Sequence, residues 1–305
     1  MSSAPRQTSR ATLLVSFSAC CFGSIPILIT LATSSGARLV DVLTWRYLIA
    51  AALLVIVSGG VRAVMSPGRR AWTVIALAGG GQAVIAFVSL SALRYIPAAT
   101  LTFLFYTYPA WVAVMAAVRG TERVSRRGAL ALAFSLAGIA LMVGMPGAGG
   151  LHPIGALLAL SSALLYAAYI PLIDRLGRGM PAAVTSTYAT AGAGAILLIV
   201  ATMQGGLALQ FAPIGWAAVV ILAVLSTVLA FLAFLRGLAE IGPVRTAIVS
   251  TIEPFWTALL GGIVLGQHVG LRTLIGGLLI AVAVILLQLG QRAAVMRTGD
   301  PAAAS

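Results

Sequence analysis

The sequence predicts an all-α integral membrane protein, with ten transmembrane helices arranged as two inverted five-helix repeats. Three observations predict this fold. The 305 residues are 61% hydrophobic and only 8% charged, with a mean hydropathy of +1.08. Apolar runs of the ~20-residue length that crosses a bilayer recur along the whole chain. The second half also repeats the first at a constant offset of 145 positions.

The composition excludes a soluble enzyme and a disordered chain. A soluble domain has about 25% charged residues, whereas this chain has 19 basic and 6 acidic residues in total. A pI near 11.3 in a soluble protein would suggest nucleic-acid binding. Here every basic residue is an arginine, and the arginines lie between apolar runs. This placement is typical of a membrane topology signal, so nucleic acid is not an expected partner.

The apolar runs are too long and unbroken for barrel strands, so each is expected to be a helix. Short connectors such as Ile241-Gly242-Pro243 separate them, and Gly79-Gly80-Gly81 predicts a close helix approach or local unwinding. The first run exceeds the ~7–15 apolar residues of a signal peptide, which favours a retained helix. The predicted spans are 11–32, 40–59, 71–91, 97–118, 127–145, 154–173, 181–203, 213–235, 243–265 and 271–290. The predicted organisation is a cytoplasmic N-terminal segment at 1–10, repeats at 11–147 and 152–290, and a disordered cytoplasmic tail at 291–305.

The arginines also predict the orientation. With the N-terminus inside, 15 arginines fall in cytoplasmic segments and 3 in outer segments, while Arg46 lies within a span. The positive-inside rule then places both termini in the cytoplasm, as expected for a multi-pass protein of the inner (plasma) membrane.

The internal repeat rests on identical residues that superpose without a gap. The matched pairs are Pro26 with Pro171, Pro109 with Pro254, Trp111 with Trp256, and Arg127 with Arg272. Because each half has five spans, an odd number, the second half must enter the membrane from the opposite face. Inverted repeats of this kind are typical of secondary transporters, whose substrate site lies near the midplane between the repeats.

Several motifs resemble those of the drug/metabolite transporter superfamily, specifically its EamA-type ten-helix transporters. Leu104-Phe-Tyr-Thr-Tyr-Pro109 resembles the family's "YTYP" region, and Ser250-Thr-Ile-Glu-Pro254 resembles its counterpart in the second repeat. Trp45-Arg46-Tyr47 resembles the second-span "R(F/Y)" element. Gly120-Thr121-Glu122 and Gly266-Gln267 resemble the "GE" that closes this helix, with an inserted Thr in one and Gln for Glu in the other. The resemblance implies a transporter that exports amino acids, other small metabolites or drugs.

A polar stripe in the ninth span supplies the first candidate site. Thr246, Ser250, Glu253 and Thr257 fall on one helical face. An ionisable side chain within a span is costly unless it faces a partner or a watery cavity. We therefore expect Glu253 to line a cavity as a substrate-amine or proton site. The alternative is a structural carboxylate bonded to neighbouring helices.

The first repeat offers an aromatic face at the equivalent place. The offset of 145 maps Glu253 to Tyr108 and Ser250 to Phe105. A cavity with one polar and one aromatic wall suits an amphipathic solute, and the alternative is aromatic packing between helices. The other predicted cavity residues are Ser24, Gln82, Trp111, Ser162, Tyr166, Tyr169 and Trp256.

Arg46 and four prolines complete the candidate residues. Arg46 could pair with Asp41 or Glu253, snorkel to the outer surface, or bind a carboxylate or phosphate. A proline within a helix frees a carbonyl in the preceding turn and can kink the helix. The predicted kink or hinge positions are Pro26, Pro109, Pro171 and Pro254.

The predicted function is a secondary transporter that exports small amphipathic metabolites, amino acids among the candidates, by alternating access. Proton coupling at Glu253 is left open. The alternatives are a passive facilitator or lipid flippase of the same fold, and a membrane-embedded enzyme. The expected partners are a small-molecule solute and membrane lipid. No cofactor, metal or catalytic site is expected, because a Lys-containing phosphate loop and a His/Cys/carboxylate cluster are both missing from the sequence.

Overall fold

A computed structural model describes residues 4–60, 69–118, 126–143, 151–177 and 179–298, and the regular structure in these ranges is helical. The helices of the first half are α1 (Ala4–Gly23), α2 (Ile25–Ser34), α3 (Leu39–Val57), α4 (Arg69–Thr73), α5 (Gly79–Ser91), α6 (Ala98–Phe105), α7 (Tyr108–Val118) and α8 (Arg126–Val143). Those of the second half are α9 (Pro153–Gly177), α10 (Ala182–Met203), α11 (Pro213–Ala223), α12 (Ala230–Ser250), α13 (Ile252–Leu265) and α14 (Leu271–Thr298). Two π-helical segments, Val74–Ala78 and Val224–Leu229, and a 3₁₀ turn at Ala92–Arg94 join neighbouring helices.

The helices have the composition of a multi-pass membrane protein. Within the described ranges, six are long and apolar enough to cross a bilayer: Arg10–Ser34, Leu39–Val57, Ala71–Arg94, Pro153–Gly177, Ala183–Met203 and Pro213–Phe234. Three shorter apolar helices cover Ala129–Leu141, Ile252–Leu265 and Leu271–Leu286. Large apolar side chains are exposed along them, including Leu13, Ile56, Trp72, Met203 and Ile263. A soluble surface rarely exposes so much apolar area, whereas a lipid-facing one does. The total of ten spans stays a prediction.

Two helix breaks occur at equivalent positions of the repeats. The fourth predicted span is interrupted between α6 and α7 at Tyr106 and Thr107, and the ninth at Thr251 between α12 and α13. Tyr106 and Thr251 are related by the repeat offset of 145. Pro109 and Pro254 each lie in the first turn of the helix that follows. Proline is tolerated there because the first backbone N–H groups of a helix have no intrahelical acceptor.

The first and sixth spans are also equivalent by the repeat, but only the first contains a helix break. The first is interrupted at Ser24, and Pro26 again lies in the first turn of the next helix, α2. Tyr169 is the equivalent of Ser24, but α9 continues through it and through Pro171. Of the four prolines predicted to mark kinks, three therefore directly follow a helix break and the fourth lies inside a continuous helix.

The close helix approach at the triple glycine is present. A Cβ atom on Gly79 would lie 2.6 Å from the Cα atom of Gly192 on α10, so no larger residue fits between these backbones. The π-helical segment Val74–Ala78 ends directly before this contact. Gly80, the next residue, has space: its Cβ would lie 3.5 Å from a methyl group of Ile196.

The two repeats are interleaved rather than side by side. The most extensively packed helix pairs join one repeat to the other: α1 with α12, α3 with α10, and α8 with α14. The largest buried apolar cluster also draws on both halves, with Ile29, Leu43, Phe103, Leu222 and Ile280 among its members. Burying this apolar surface fixes the two halves against each other, and their shared seam contains the candidate site.

Three predicted boundaries differ from the structure. Helix α12 continues through Ile241-Gly242-Pro243, where we expected a connector. A helix can accommodate an internal proline when it bends and the freed carbonyl finds another partner. Helix α14 extends to Thr298, so 291–298 is helical rather than disordered. Residues such as Gln291, Arg292 and Ala293 are good helix formers and continue the preceding helix. Helix α1 likewise begins at Ala4, within the predicted N-terminal segment.

Candidate functional site

The centre of the candidate site is a hydrogen-bonded pair that joins the two repeats. The hydroxyl of Tyr106, in the break between α6 and α7, lies 2.8 Å from Oε2 of Glu253. The same hydroxyl lies 2.8 Å from the carbonyl oxygen of Ser250, the last residue of α12. Glu253 itself lies in the first turn of α13, where the helix dipole favours a negative charge. Each helix break thus places one polar side chain at the seam: Tyr106 from the first repeat and Glu253 from the second.

The break in the first span is held against the same helix. Thr257 donates from Oγ1 to the carbonyl oxygen of Gly23 at 2.8 Å. Trp256 donates from Nε1 to Oγ of Ser24 at 3.2 Å. The two backbones approach so closely that a Cβ on Gly23 would lie 2.7 Å from the carbonyl oxygen of Glu253. The ends of α1 and α13 are therefore fixed beside the carboxylate.

A continuous row of aromatic rings leads away from this pair. Tyr106 contacts Tyr108 at a centroid distance of 6.1 Å, and Tyr108 contacts Tyr166 of α9 edge-to-face at 4.9 Å. Phe105 contacts both of these rings, at 5.9 Å from Tyr108 and 5.2 Å from Tyr166. Tyr166 in turn stacks on Tyr169 at 6.3 Å. The sequence predicted the last four of these residues as cavity residues, and the structure brings them together beside Glu253.

The row continues to the third and second spans. The ring of Tyr169 lies against the backbone of Gly81, where an added Cβ would be 2.7 Å from it. The next residue, Gln82, donates from Nε2 to the hydroxyl of Tyr47 on α3 at 3.2 Å. The hydroxyl of Tyr169 is buried and has no hydrogen-bond partner within the described part of the chain. This buried donor is unsatisfied, an uncommon state for a polar group.

Arg46 lies at the far end of this row. Its side chain is buried, with 6% of the residue exposed. Its Nε donates to Oγ1 of Thr227 at 3.1 Å, and its guanidinium carbon lies 5.2 Å from the ring centre of Tyr47. The structure records no salt bridge to Arg46 within the described residues. Neither expected partner is used, because Asp41 pairs with Arg38 and Glu253 with Tyr106.

Arg38 and Asp41 instead hold the loop that follows α10. Arg38 donates to both carboxylate oxygens of Asp41, at 2.5 and 2.8 Å. It also donates to the carbonyl oxygens of Gln204, at 2.9 Å, and Gly206, at 2.5 Å. The hydrogen bond with Asp41 raises the pKa of the Arg38 guanidinium above its ordinary value, although desolvation acts in the opposite direction. These contacts tie the second span to the second repeat.

The remaining predicted residues lie apart from the row or make other bonds. Ser162 is buried, and its hydroxyl donates within its own helix to the carbonyl oxygen of Ala159. Thr246 is also buried. The Nε1 atom of Trp111 is buried without a hydrogen-bond partner in the described ranges. Gly120-Thr121-Glu122 lies outside the described residues.

The Gln that replaces Glu in the second "GE" segment has a defined role. Oε1 of Gln267 accepts a hydrogen bond from the backbone N–H of Ala98, the first residue of α6, at 3.1 Å. A neutral amide oxygen thus satisfies one of the free N–H groups at the start of that helix. Gly266, directly before it, has a positive φ of 62°, a conformation that favours glycine at a helix end.

Sequence reasoning missed three residues of the site: Tyr106, Tyr47 and Thr227. The offset made Tyr108 the equivalent of Glu253, but the hydroxyl that bonds to Glu253 belongs to Tyr106. The repeat offset could have pointed to Tyr106, because it pairs this residue with Thr251, two residues before Glu253. Thr227 lies in a π-helical segment, which no sequence pattern had indicated. Among the residues that the structure describes, no group of three His, Cys, Asp or Glu side chains is placed to hold a metal ion.

Comparisons with known proteins agree with this architecture. The chain is 26% identical over 283 residues to a protein of Bacillus subtilis (strain 168) named an uncharacterized transporter, YcbK, with 89% of this chain and 90% of that protein covered. A solved structure described only as the crystal structure of a protein matches with a TM-score of 0.64 at 22% identity, over 94% of this chain and 99% of the other. At that identity it shows the fold alone. The model of the EamA-like transporter family matches twice, at residues 9–144 and 153–289. The apolar helices are those of a multi-pass membrane protein, and the chain belongs to the EamA-like transporter family.

Proposed function

We propose that this transporter exports small amphipathic metabolites, amino acids among them, across the inner membrane by alternating access. In this proposal ten spans form two inverted five-helix halves, and both termini lie in the cytoplasm. The observation that carries it is the bond between Tyr106 and Glu253, which joins the helix breaks of the two repeats. A polar group at such a seam is where inverted-repeat transporters bind their solute.

The walls of the site support an amphipathic solute. Glu253 is half-buried and supplies a carboxylate. Phe105, Tyr108 and Tyr166 supply aromatic surface next to it. A ligand that is apolar along the rings and carries a polar group near Glu253 would use both walls.

The helix breaks support alternating access. The α-helix is interrupted at Tyr106 and Thr107 and again at Thr251, so a small change in dihedral angles there moves the rest of the helix. Pro109 and Pro254 restrict where each helix restarts. In this proposal they act as hinges that expose Glu253 to one side of the membrane and then to the other.

The bonding of Tyr106 supports a proton as the coupling ion. Its hydroxyl has one hydrogen and two oxygen neighbours, the carbonyl of Ser250 and the carboxyl of Glu253. If Glu253 is protonated, it can donate to Tyr106 while Tyr106 donates to Ser250, so both bonds form. If Glu253 is ionised, the two acceptors compete for one hydrogen. The other titratable groups near the carboxyl, Cys20, Tyr108 and Tyr166, carry no charge near neutral pH.

The proposal is tested first in cells and then in vesicles. Mass spectrometry of the medium should show that cells producing the protein release particular small amphipathic solutes. Proteoliposomes should then accumulate such a solute when a pH gradient is imposed.

The variant Glu253→Gln should lose this accumulation but retain solute exchange without a gradient, since the amide still bonds to Tyr106. Glu240→Gln is the matched control, because Glu240 is an exposed carboxylate on α12. Full gradient-driven accumulation by Glu253→Gln would remove the proton-coupling assignment, and no solute movement by the unmodified protein would overturn the proposal.

A further inference from the structure

The contacts between the described helices leave the charge of the buried Arg46 without a partner of opposite sign. A guanidinium has five N–H donors and a permanent positive charge. The structure uses one of these donors, Nε, in the bond to Thr227. The two Nη nitrogens make no hydrogen bond to any residue that the structure describes, and no carboxylate there neutralises the charge. The Nη nitrogens are not among the buried atoms that lack a partner, so a ligand or water can still reach them. A largely buried cation is costly unless such a group pairs with it.

The local backbone holds this guanidinium in a fixed orientation. Thr227 lies in the π-helical segment Val224–Leu229 and donates from Oγ1 to the carbonyl oxygen of Leu222 at 2.8 Å. Its oxygen is thereby directed to accept from Nε of Arg46. Ser226, in the same segment, has a buried hydroxyl without a hydrogen-bond partner in the described ranges. Single-turn π-helical segments are frequent at functional sites.

We propose that Arg46, positioned by Thr227, binds the carboxylate of the transported solute. The planar fork of a guanidinium matches the two oxygens of a carboxylate. One positive charge also balances one carboxylate, whereas a phosphate dianion normally requires more than one cation. The inference rests on the proposed transport function and narrows its solute to organic monocarboxylates.

The row of aromatic and polar residues supports the same assignment. Arg46 is adjacent to Tyr47, whose hydroxyl is bonded to Gln82. The neighbouring Gly81 packs against Tyr169, from which the rings continue towards Glu253. A solute with its carboxylate at Arg46 would therefore lie with its apolar part along these rings. An amino group, where the solute has one, would then point towards the carboxylate of Glu253.

The test is a binding measurement on the full-length protein in lipid nanodiscs, in which no gradient is needed. The probes are acetate, 3-phenylpropanoate, L-leucine and L-phenylalanine, each compared with its primary amide, together with inorganic phosphate. Calorimetry should show that at least one carboxylate binds about tenfold or more tightly than its amide. Phosphate should bind no better than the amides. The inference is overturned if every carboxylate and its amide bind equally, or if phosphate binds best.

Variants separate an anion site from a structural arginine. Arg46→Gln should bind the carboxylate no better than its amide, while Arg46→Lys should keep part of the preference. Thr227→Val should weaken carboxylate binding because the guanidinium loses its positioning bond. The matched control Arg94→Gln removes an exposed arginine and should change nothing. Without ligand, Arg46→Gln should melt at a higher temperature than the unmodified protein, because a buried unpaired charge is gone. Unchanged carboxylate binding by Arg46→Gln, or its melting at a lower temperature, would overturn the inference.

These outcomes are distinct from failure of the proposed function. Carboxylate binding that depends on Arg46, with no solute movement in proteoliposomes, would support the anion site and contradict transport. Solute movement that is unaffected by Arg46→Gln would do the reverse.

Discussion

Tyr106 and Glu253 are hydrogen-bonded at 2.8 Å across the seam between the two repeats. The tyrosine lies at the helix break of the first repeat, and the glutamate lies two residues after the equivalent break of the second, at Thr251. The helix breaks of the two repeats therefore lie close together at the seam.

Tyr106→Phe should destabilise the protein by about 1–3 kcal/mol, because the carbonyl of Ser250 and the carboxyl of Glu253 both lose the hydroxyl to which they are bonded. Denaturant or thermal unfolding in detergent measures the change. Tyr95→Phe is the matched control: Tyr95 is exposed, its ring stacks on His152, and its loss of a hydroxyl should change stability by less than about 0.5 kcal/mol. Equal effects of the two substitutions would contradict a structural bond at the seam.

Gly23→Ala should destabilise the protein by about 1–3 kcal/mol through overpacking. The new Cβ would lie 2.7 Å from the carbonyl oxygen of Glu253 and 3.1 Å from Oγ1 of Thr257, so α1 and α13 would have to separate. The same substitution at Gly80 meets only Ile196 at 3.5 Å and should be neutral or stabilising by up to about 1 kcal/mol. If Gly80→Ala proved less stable than Gly23→Ala, the close approach of α1 and α13 at Gly23 would be contradicted.

Asp41→Asn should loosen the loop at 204–208 without changing the helices. The substitution removes the charge that orients Arg38, whose guanidinium also holds the carbonyl oxygens of Gln204 and Gly206. Hydrogen–deuterium exchange of this loop should become faster, while exchange in α10 stays the same. Arg94→Gln provides a control at another exposed arginine. Unchanged exchange at 204–208 would mean that these contacts do not order the loop.

The sequence was sufficient to predict the parts of the fold that depend on composition and periodicity. The apolar runs predicted helices of membrane-spanning composition. Pro109 and Pro254, matched by the 145-residue offset, were predicted kink positions, and each lies in the first turn after a helix break. The site was predicted less well, because a break rotates the side chains that follow it. The offset made Tyr108 the equivalent of Glu253 and placed it on the aromatic wall, whereas the hydroxyl that reaches Glu253 belongs to Tyr106.

Arg46 shows a second limit of sequence reasoning. Its partner Thr227 lies in a π-helical segment, where one extra residue per turn shifts the register of everything that follows. No local propensity in the sequence indicates such a segment. Asp41 was one candidate partner of Arg46, but Arg38, three residues from Asp41, binds it instead. Tertiary packing decided both pairings.

Alternating access requires that the seam beside Glu253 opens to water on each side of the membrane in turn. Tyr108 is half-buried in the aromatic row and lies directly at this seam. The decisive measurement is labelling of Tyr108→Cys, with Cys20 and Cys21 replaced by alanine, by a membrane-impermeant maleimide in right-side-out and inside-out vesicles. Alternating access predicts labelling from both sides, slowed in each case by a transported solute. A cysteine that is labelled from only one side, or from neither, under every gradient applied would contradict it.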